Sequence, residues 1–179
     1  MNIVIFGEMG AGKSTVANYL RDTYGYSKLS FGSKIHSESK LHGSESRTEM
    51  QQYGQSMRKI FGINIWCDYV YKQSQSIKNG NVIIDDGRQL NEFQYYSDLG
   101  YLTVAVIADE NKRIERLEKR VNYVIDPKTF NHETEIQAQQ CVNKCKIRLY
   151  NNDDSMNNLI SAIEYKLGKY LRGVKNGKV

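Results

Sequence analysis

The segment Gly7–Ser14, Gly-Glu-Met-Gly-Ala-Gly-Lys-Ser, constrains this chain more than any other feature of its sequence. It satisfies every fixed position of the pattern G-x-x-x-x-G-K-[ST]. The apolar run Asn2–Phe6 precedes it, and Ser14–Tyr24, with helical spacing of its apolar residues, follows it. Glycines let successive backbone N–H groups face phosphate oxygens, and a helix N-terminus adds partial positive charge. The pattern therefore predicts a strand, a loop that binds the phosphates of a nucleoside triphosphate, and a helix.

Individual roles follow from the chemistry of this phosphate loop. Lys13 is expected to reach the β- and γ-phosphates, and the Ser14 hydroxyl is expected to ligate Mg²⁺. Thr15 is placed to contact the α-phosphate. Four small residues complete the predicted nucleotide-binding set through their backbone: Gly7, Gly10, Ala11 and Gly12.

Short apolar runs alternate with helical patterns along the rest of the chain. Further strands are predicted at Lys28–Phe31, Asn81–Asp85, Tyr101–Ala108 and Ile147–Tyr150. Helices are predicted at Ser46–Phe61 (opened by a capping box), Ile65–Ile77, Asn91–Leu99, Lys112–Val121, Glu133–Lys146 and Ser155–Leu171. His36 and His42 are expected in a loop. Such alternation predicts an α/β fold of three layers, a parallel sheet with helices on both faces.

Length and composition indicate one globular domain over 1–179, with a solvated tail at 172–179. The N-terminal apolar run is too short for a signal peptide or a membrane span, so a soluble cytoplasmic protein without membrane association is expected. The odd count of three cysteines favours buried thiols over a disulfide framework. A net charge of +5 leaves nucleotides and nucleic acid open as anionic partners.

The predicted strand Asn81–Asp85 ends in acid, as a Walker B strand does. A carboxylate at that end would lie beside the phosphate loop, where it could bind Mg²⁺. Asp85 and Asp86 are adjacent, so only one can face the site, and the sequence does not choose between them. Arg88 is suited to clamp a phosphate with Glu92 holding it, although the two also fit a surface i,i+4 pair.

Three arginines, Arg113, Arg116 and Arg120, share one face of the predicted helix Lys112–Val121. They fit a lid that closes over the transferring phosphoryl group, with Arg116 or Arg120 as the favoured cation. They equally fit a solvated face paired with neighbouring glutamates. Trp66 is one of several aromatic residues that could stack on a base or lie in the core.

Taken together, these residues resemble the phage-type deoxynucleoside monophosphate kinases, within the wider group of nucleoside and nucleotide kinases. The matching pieces are GEMGAGKST at 7–15, LSFGSKIH at 29–36, QQYGQSMRKIFGINIW at 51–66, IIDDGRQLNE at 83–92, HETE at 132–135 and LYNNDDSMNNL at 149–159. They span nearly the whole chain in order. The phosphate loop and the D-x-R-x-x-x-E pattern are the specific ones.

The resemblance implies a sheet of about five parallel strands, a small helical lid at about 112–135, ATP as donor with Mg²⁺, and a nucleoside monophosphate as acceptor. It places Asp86 and Arg88 at the reacting phosphates, Arg58 near the acceptor and His132–Glu135 near the lid. The expected substrate-binding set is Ser30, Lys34, Arg58, Trp66 and Glu92. A phage origin would put the protein in the host cytoplasm.

Two departures from the usual pattern, Thr134 in place of Ser and the doubled Asp85 and Asp86, leave the acceptor open. The alternative is a kinase acting on a hydroxyl, such as a modified base in DNA, a polynucleotide end or dephospho-coenzyme A, with one of these aspartates as base. A non-kinase NTPase is the third interpretation. The accepted base, the sugar and the oligomeric state, a homodimer included, do not follow from the sequence.

Overall fold

The structure is a computed structural model that describes residues 1–43, 46–77, 80–119, 133–153 and 155–175. Its strands are β1 (Ile3–Phe6), β2 (Ser27–Leu29), β3 (Val82–Gly87), β4 (Leu102–Ile107) and β5 (Ile147–Tyr150). The helices of the described residues are α1 (Lys13–Tyr24), α2 (Phe31–Leu41), α3 (Arg47–Phe61), α4 (Ile65–Ser76), α5 (Leu90–Asp98), α6 (Glu110–Glu118), α7 (Glu133–Lys144) and α8 (Met156–Lys175).

All five strands lie in one parallel sheet in the order β2-β3-β1-β4-β5. Strand β1 is central, with Ile3 paired to Ile83 on one side and to Leu102 on the other. Side chains of a strand alternate between faces, yet every residue of β1 is buried. Both faces of the sheet are therefore covered, and the predicted α/β fold of three layers is confirmed.

Each face of the sheet has its own core. On one face, Ile3 and Ile5 pack with α1 and with α8, which contributes Leu159, Ile163 and Leu167. On the other, Val4 and Phe6 pack with residues of α2, α4, α5 and α7. Because the strands are parallel, their carboxyl ends lie at one edge of the sheet, where open sheets of this kind bind ligands.

Helix α2 is the principal difference from the predicted elements. The predicted strand at Lys28–Phe31 ends at Leu29, and Phe31 begins a helix that also contains His36. The Ser30 side chain caps this helix by accepting from the Ser33 N–H. The Asp86 carboxylate accepts from the Phe31 and Gly32 N–H groups. Because Asp86 comes from a distant strand, the start of this helix depends on tertiary contacts that local spacing does not reveal.

Smaller differences occur at the ends of elements. Strand β3 continues past Asp85 to Gly87, so both aspartates belong to it. The capping box of α3 is present as predicted. Phe61, the last residue of this helix, is 61% exposed. Helix α8 runs to Lys175, beyond the predicted start of the tail, and 176–179 lie outside the described residues.

The three cysteines are free and buried, as predicted: Cys67, Cys141 and Cys145. Burial raises the pKa of the Cys141 and Cys145 thiols to about 12 and raises the pKa of Cys67 as well. Protonated, enclosed thiols behave as small apolar side chains. In the described part of the chain, no helix combines the length and apolar character needed to cross a membrane.

Candidate functional site

The phosphate loop joins the end of β1 to the first turn of α1. Gly10 and Gly12 adopt φ angles of 82° and 101°, a region that other residues seldom occupy. A Cβ on Gly10 would lie 2.7 Å from the backbone oxygen of Arg113, and one on Gly12 would lie 2.4 Å from the Asn151 amide nitrogen. The backbone thus forms a close-fitting cradle at a helix N-terminus, the arrangement that binds phosphate.

The side chains of Lys13 and Ser14 have defined partners at the start of α1. The Lys13 ammonium donates to the carbonyls of Gly7 and Glu8, at 2.6 and 2.9 Å, and so lies across the loop. The Ser14 hydroxyl donates to Asp85 Oδ2 at 2.8 Å. A hydroxyl beside a carboxylate supplies the hard oxygen ligands that Mg²⁺ prefers, so these two residues fit the metal that such a loop uses.

The structure decides which aspartate faces the loop. Asp85 is buried, and its Oδ2 also lies 2.9 Å from the Lys28 ammonium. Asp86 points to the opposite face, where its carboxylate accepts from the Ser30 hydroxyl and from two N–H groups at the start of α2. Burial and the neighbouring Asp85 raise the pKa of Asp86, and these three donors oppose that rise. Asp85 is thus the carboxylate that faces the phosphate loop.

A cavity of about 320 Å³ opens beside Asp86. We call it the acceptor cavity. Its lining comes from α2, α3, the end of β3 and the start of α7: Phe31, Gly32, Ile35, His36, Met50, Gln51, Gly54, Gln55, Arg58, Asp86, Arg88, Gln89, Glu92 and Thr134. Its size suits a small organic ligand. The lining carries two guanidinium groups, of Arg58 and Arg88, and two carboxylates, of Asp86 and Glu92.

Arg58 reaches the acceptor cavity from α3 and is held there by buried partners. Its Nη2 lies 3.0 Å from Glu92 Oε1. With its amide oxygen turned toward Arg58, Gln89 accepts from both Nη atoms at 3.2 Å. Glu92 Oε2 accepts from the N–H groups of Arg88 and Gln89 at 2.8 and 3.0 Å. Glu92 therefore pairs with the Arg58 side chain and with the Arg88 backbone, which corrects the predicted pairing with the Arg88 guanidinium.

The Arg88 guanidinium pairs instead with Glu135, the third residue of α7. The other carboxylate oxygen of Glu135 accepts from the Met9 N–H of the phosphate loop at 2.9 Å. The resemblance placed Glu135 only near the lid, and no motif in the sequence indicated this bridge. An acid in the first turn of a predicted helix was the one available signal, and it is common to many surface helices.

The described arginines of the predicted lid face, Arg113 and Arg116, have different partners. Arg113 is buried, with its Nη2 3.0 Å from Glu8 Oε1 of the phosphate loop. Arg116 donates to the carbonyls of Asn151 and Asp153, both at 2.9 Å. Arg120, His132 and most of the lid expected at 112–135 lie outside the described residues. Glu115, one of the neighbouring glutamates, pairs with Lys112 and Lys119 of the same helix.

Arg116 also lines a second cavity, of about 270 Å³, on the other side of the phosphate loop. Its other residues are Gly10, Gly12, Thr15, Asn151, Asp153, Ser155, Met156 and Leu159. Met156 and Leu159 are its large apolar lining residues. Arg116 therefore lies beside the phosphate loop and does not belong to the lining of the acceptor cavity.

Two predicted substrate contacts lie elsewhere. Trp66 is buried in the core, and its indole N–H donates to the Gly54 carbonyl at 3.1 Å, so it supports the wall of the acceptor cavity from behind. Lys34 pairs with Glu38 and lies 5.0 Å from the Tyr69 ring centroid. Both side chains are thereby engaged away from the cavity. Ser30 contributes indirectly, by capping α2 and binding Asp86.

The family described as an AAA domain matches residues 3–138, most of the chain and all of the loop and β3. The chain belongs to this family. A search of curated proteins gave no match to the sequence.

Solved structures resemble the chain over nearly its full length. The Thermus thermophilus protein TT1252 shares 18% identity, with a TM-score of 0.64 over 94% of this chain and 97% of that one. Shikimate kinase from Aquifex aeolicus shares 17%, with a TM-score of 0.61 over 97% and 100%. Shikimate kinase from Bacteroides thetaiotaomicron shares 13%, with a TM-score of 0.57 over 95% and 98%. The fold of this AAA-domain chain is that of the P-loop kinases.

Proposed function

We propose that this chain is a nucleotide kinase that transfers the γ-phosphoryl group of ATP to the phosphate of a nucleoside or deoxynucleoside monophosphate. The supporting observation is the acceptor cavity, where Arg58 and Arg88 are each held by a buried carboxylate. The two carboxylates fix the guanidinium groups in the lining of the cavity, and guanidinium groups are suited to clamp a phosphate. A monophosphate supplies about two negative charges at neutral pH.

The donor side rests on the phosphate loop. Its backbone and Lys13 would hold the triphosphate, and Ser14 with Asp85 would hold Mg²⁺. Bound Mg²⁺ supplies neutralisation of the charge that develops on the transferring phosphoryl oxygens. Arg116 and Met156 line the second cavity, which would receive the nucleoside of the donor.

Chemistry on a phosphate acceptor needs no strong general base, because the attacking oxygen is already anionic. The residues then act by holding and orienting two polyanions, and by neutralising charge with Lys13, Arg58 and Arg88. Asp86 holds the start of α2 through three hydrogen bonds, so we assign it this supporting role and not that of a general base. That arrangement favours a phosphate acceptor over a hydroxyl one.

An acceptor panel with labelled ATP tests the proposal. It would include all nucleoside and deoxynucleoside monophosphates, single- and double-stranded oligonucleotides, and dephospho-coenzyme A, with Lys13→Ala as the inactive control. We expect a labelled diphosphate from at least one free monophosphate without any oligonucleotide. Transfer confined to DNA and falling steeply with salt would instead identify a polynucleotide kinase. Transfer only to another hydroxyl would also overturn the proposal.

A further inference from the structure

The buried carboxylate of Glu135 bridges two parts of the site that are distant in sequence. Glu135 is 4% exposed and lies in the first turn of α7. One of its oxygens pairs with Arg88, which lines the acceptor cavity. The other accepts from the Met9 N–H inside the phosphate loop, at 2.9 Å. A single side chain thus contacts both the donor-binding loop and an acceptor-binding cation.

The Glu135 carboxylate is buried and needs partners that compensate for its lost hydration. A carboxylate removed from water is costly unless hydrogen bonds and a cation compensate for the lost hydration. Glu135 receives both, together with the favourable field at the start of a helix.

Anchoring of α7 does not require Glu135. Gln137 accepts from the Leu90 N–H at 3.1 Å, and Gln139 donates to Glu8 at 2.9 Å. Ala138 and Cys141 are fully buried on the same helix. The helix is therefore docked by several other contacts, and the specific contribution of Glu135 is to its two partners.

The effect on Arg88 is to fix its position at both ends. Glu92 accepts from the Arg88 backbone N–H at 2.8 Å, and Glu135 holds the guanidinium. Glu135 also accepts from the Met9 N–H, so this carboxylate connects the phosphate loop to the Arg88 guanidinium.

We propose that Glu135 is a positioning residue that fixes Arg88 relative to the phosphate loop and so sets the separation of the acceptor phosphate from the donor. This inference rests on the proposed function, since it assigns the Arg88 guanidinium to the acceptor. Misplacement of a reacting group by about 1 Å lowers turnover by as much as about 10²-fold. Loss of the Glu135 charge should therefore reduce kcat while leaving binding of the ATP donor nearly intact.

The kinetic test compares Glu135→Gln with Glu133→Gln, a matched control on the same helix. Glu133 is exposed and accepts from Gln137 of its own helix. We expect Glu135→Gln to lower kcat about 10- to 100-fold with little change in the affinity for a non-hydrolysable ATP analogue. Glu135→Asp should restore part of the rate, and Glu133→Gln should behave as wild type. A parallel loss of ATP-analogue binding would show a general structural role and overturn the inference.

A double-substitution cycle tests whether Glu135 acts through Arg88. In an Arg88→Ala background, Glu135→Gln should have almost no further effect on kcat, because its partner is already absent. An equal fold loss in both backgrounds would contradict the inference.

A nuclear magnetic resonance measurement separates this inference from the proposed function, since it needs no acceptor. In the nucleotide-free protein, Glu135→Gln should move the Arg88 Nε–Hε resonance and the Met9 amide resonance, because a neutral amide oxygen is a weaker acceptor than a carboxylate. Glu133→Gln should move neither. If both resonances move but no monophosphate is phosphorylated, the proposed function alone fails. If neither moves, the bridge is absent and the inference fails.

Discussion

Removal of the Glu92 carboxylate should destabilise the fold more than almost any other single substitution near the acceptor cavity. Glu92 is 3% exposed and Arg58 is 9% exposed, with 3.0 Å between the paired atoms. Glu92→Ala would leave that guanidinium buried without its counter-ion. It would also leave the N–H groups of Arg88 and Gln89 without their acceptor.

Breaking a buried ion pair from one side costs about 3–5 kcal/mol, a large part of a stability that is typically about 5–15 kcal/mol. Glu92→Gln keeps one oxygen for the two N–H groups, but it loses the charge and its amide nitrogen would then face the Arg58 guanidinium. We expect it to cost about 1–3 kcal/mol. Glu118→Ala, an exposed glutamate on α6, should stay within about 0.5 kcal/mol of wild type.

Urea unfolding followed by tryptophan fluorescence measures these differences, because Trp66 is the only tryptophan and is buried. Far-UV circular dichroism provides the second probe needed to confirm two-state behaviour. The pair Arg58→Met with Glu92→Gln removes both charges and should cost less than the sum of the single losses, by about 0.5–3 kcal/mol. A cost below about 1 kcal/mol for Glu92→Ala, together with no such coupling in the double variant, would contradict a stabilising role for the buried Arg58–Glu92 pair.

Lys13→Ala should abolish phosphoryl transfer with an unchanged circular dichroism spectrum, because the side chain contacts loop carbonyls and not the apolar core; near-normal turnover of a folded variant would contradict this. Asp85→Asn should raise the Mg²⁺ concentration needed for half-maximal transfer, whereas Asp86→Asn should leave it unchanged, since only Asp85 contacts the Ser14 hydroxyl; equal shifts in the two metal titrations would remove the distinction. Gly10→Ala should weaken ATP binding, measured by calorimetry, because its Cβ would meet backbone at 2.7 Å. Gly25 also has a positive φ, but nothing lies within 4 Å of its Cβ. Gly25→Ala should therefore cost about 1 kcal/mol of stability and leave the nucleotide affinity unchanged. The three cysteine thiols should resist a disulfide reagent at pH 8 in the folded protein, because raised pKa values keep them protonated, and all three should react in denaturant; rapid labelling of the native protein would disprove their burial.

Patterns confined to one element were predictable from the sequence. The phosphate loop, the capping box of α3 and the inward stripe of α8 depend on residues a few positions apart, so spacing alone reports them. The alternation of strands and helices likewise predicted the parallel sheet. These features amount to most of the fold and the donor side of the site.

Pairings between elements were decided by the tertiary structure. The sequence left Asp85 and Asp86 equivalent, and only the packing of β3 between α1 and α2 turned one toward Ser14 and the other toward the start of α2. The start of α2 was missed for the same reason, because Asp86 accepts from two of the three N–H groups that are capped there.

The acceptor side depended most on long-range contacts. Glu92 meets Arg58 across 34 positions of the chain, and Glu135 meets Met9 across 126. Parallel strands need crossover connections, which bring distant segments to one edge of the sheet with no local trace in the sequence. The sequence therefore predicted a phosphate-binding loop and its position, whereas the fold alone decided which carboxylate holds each arginine.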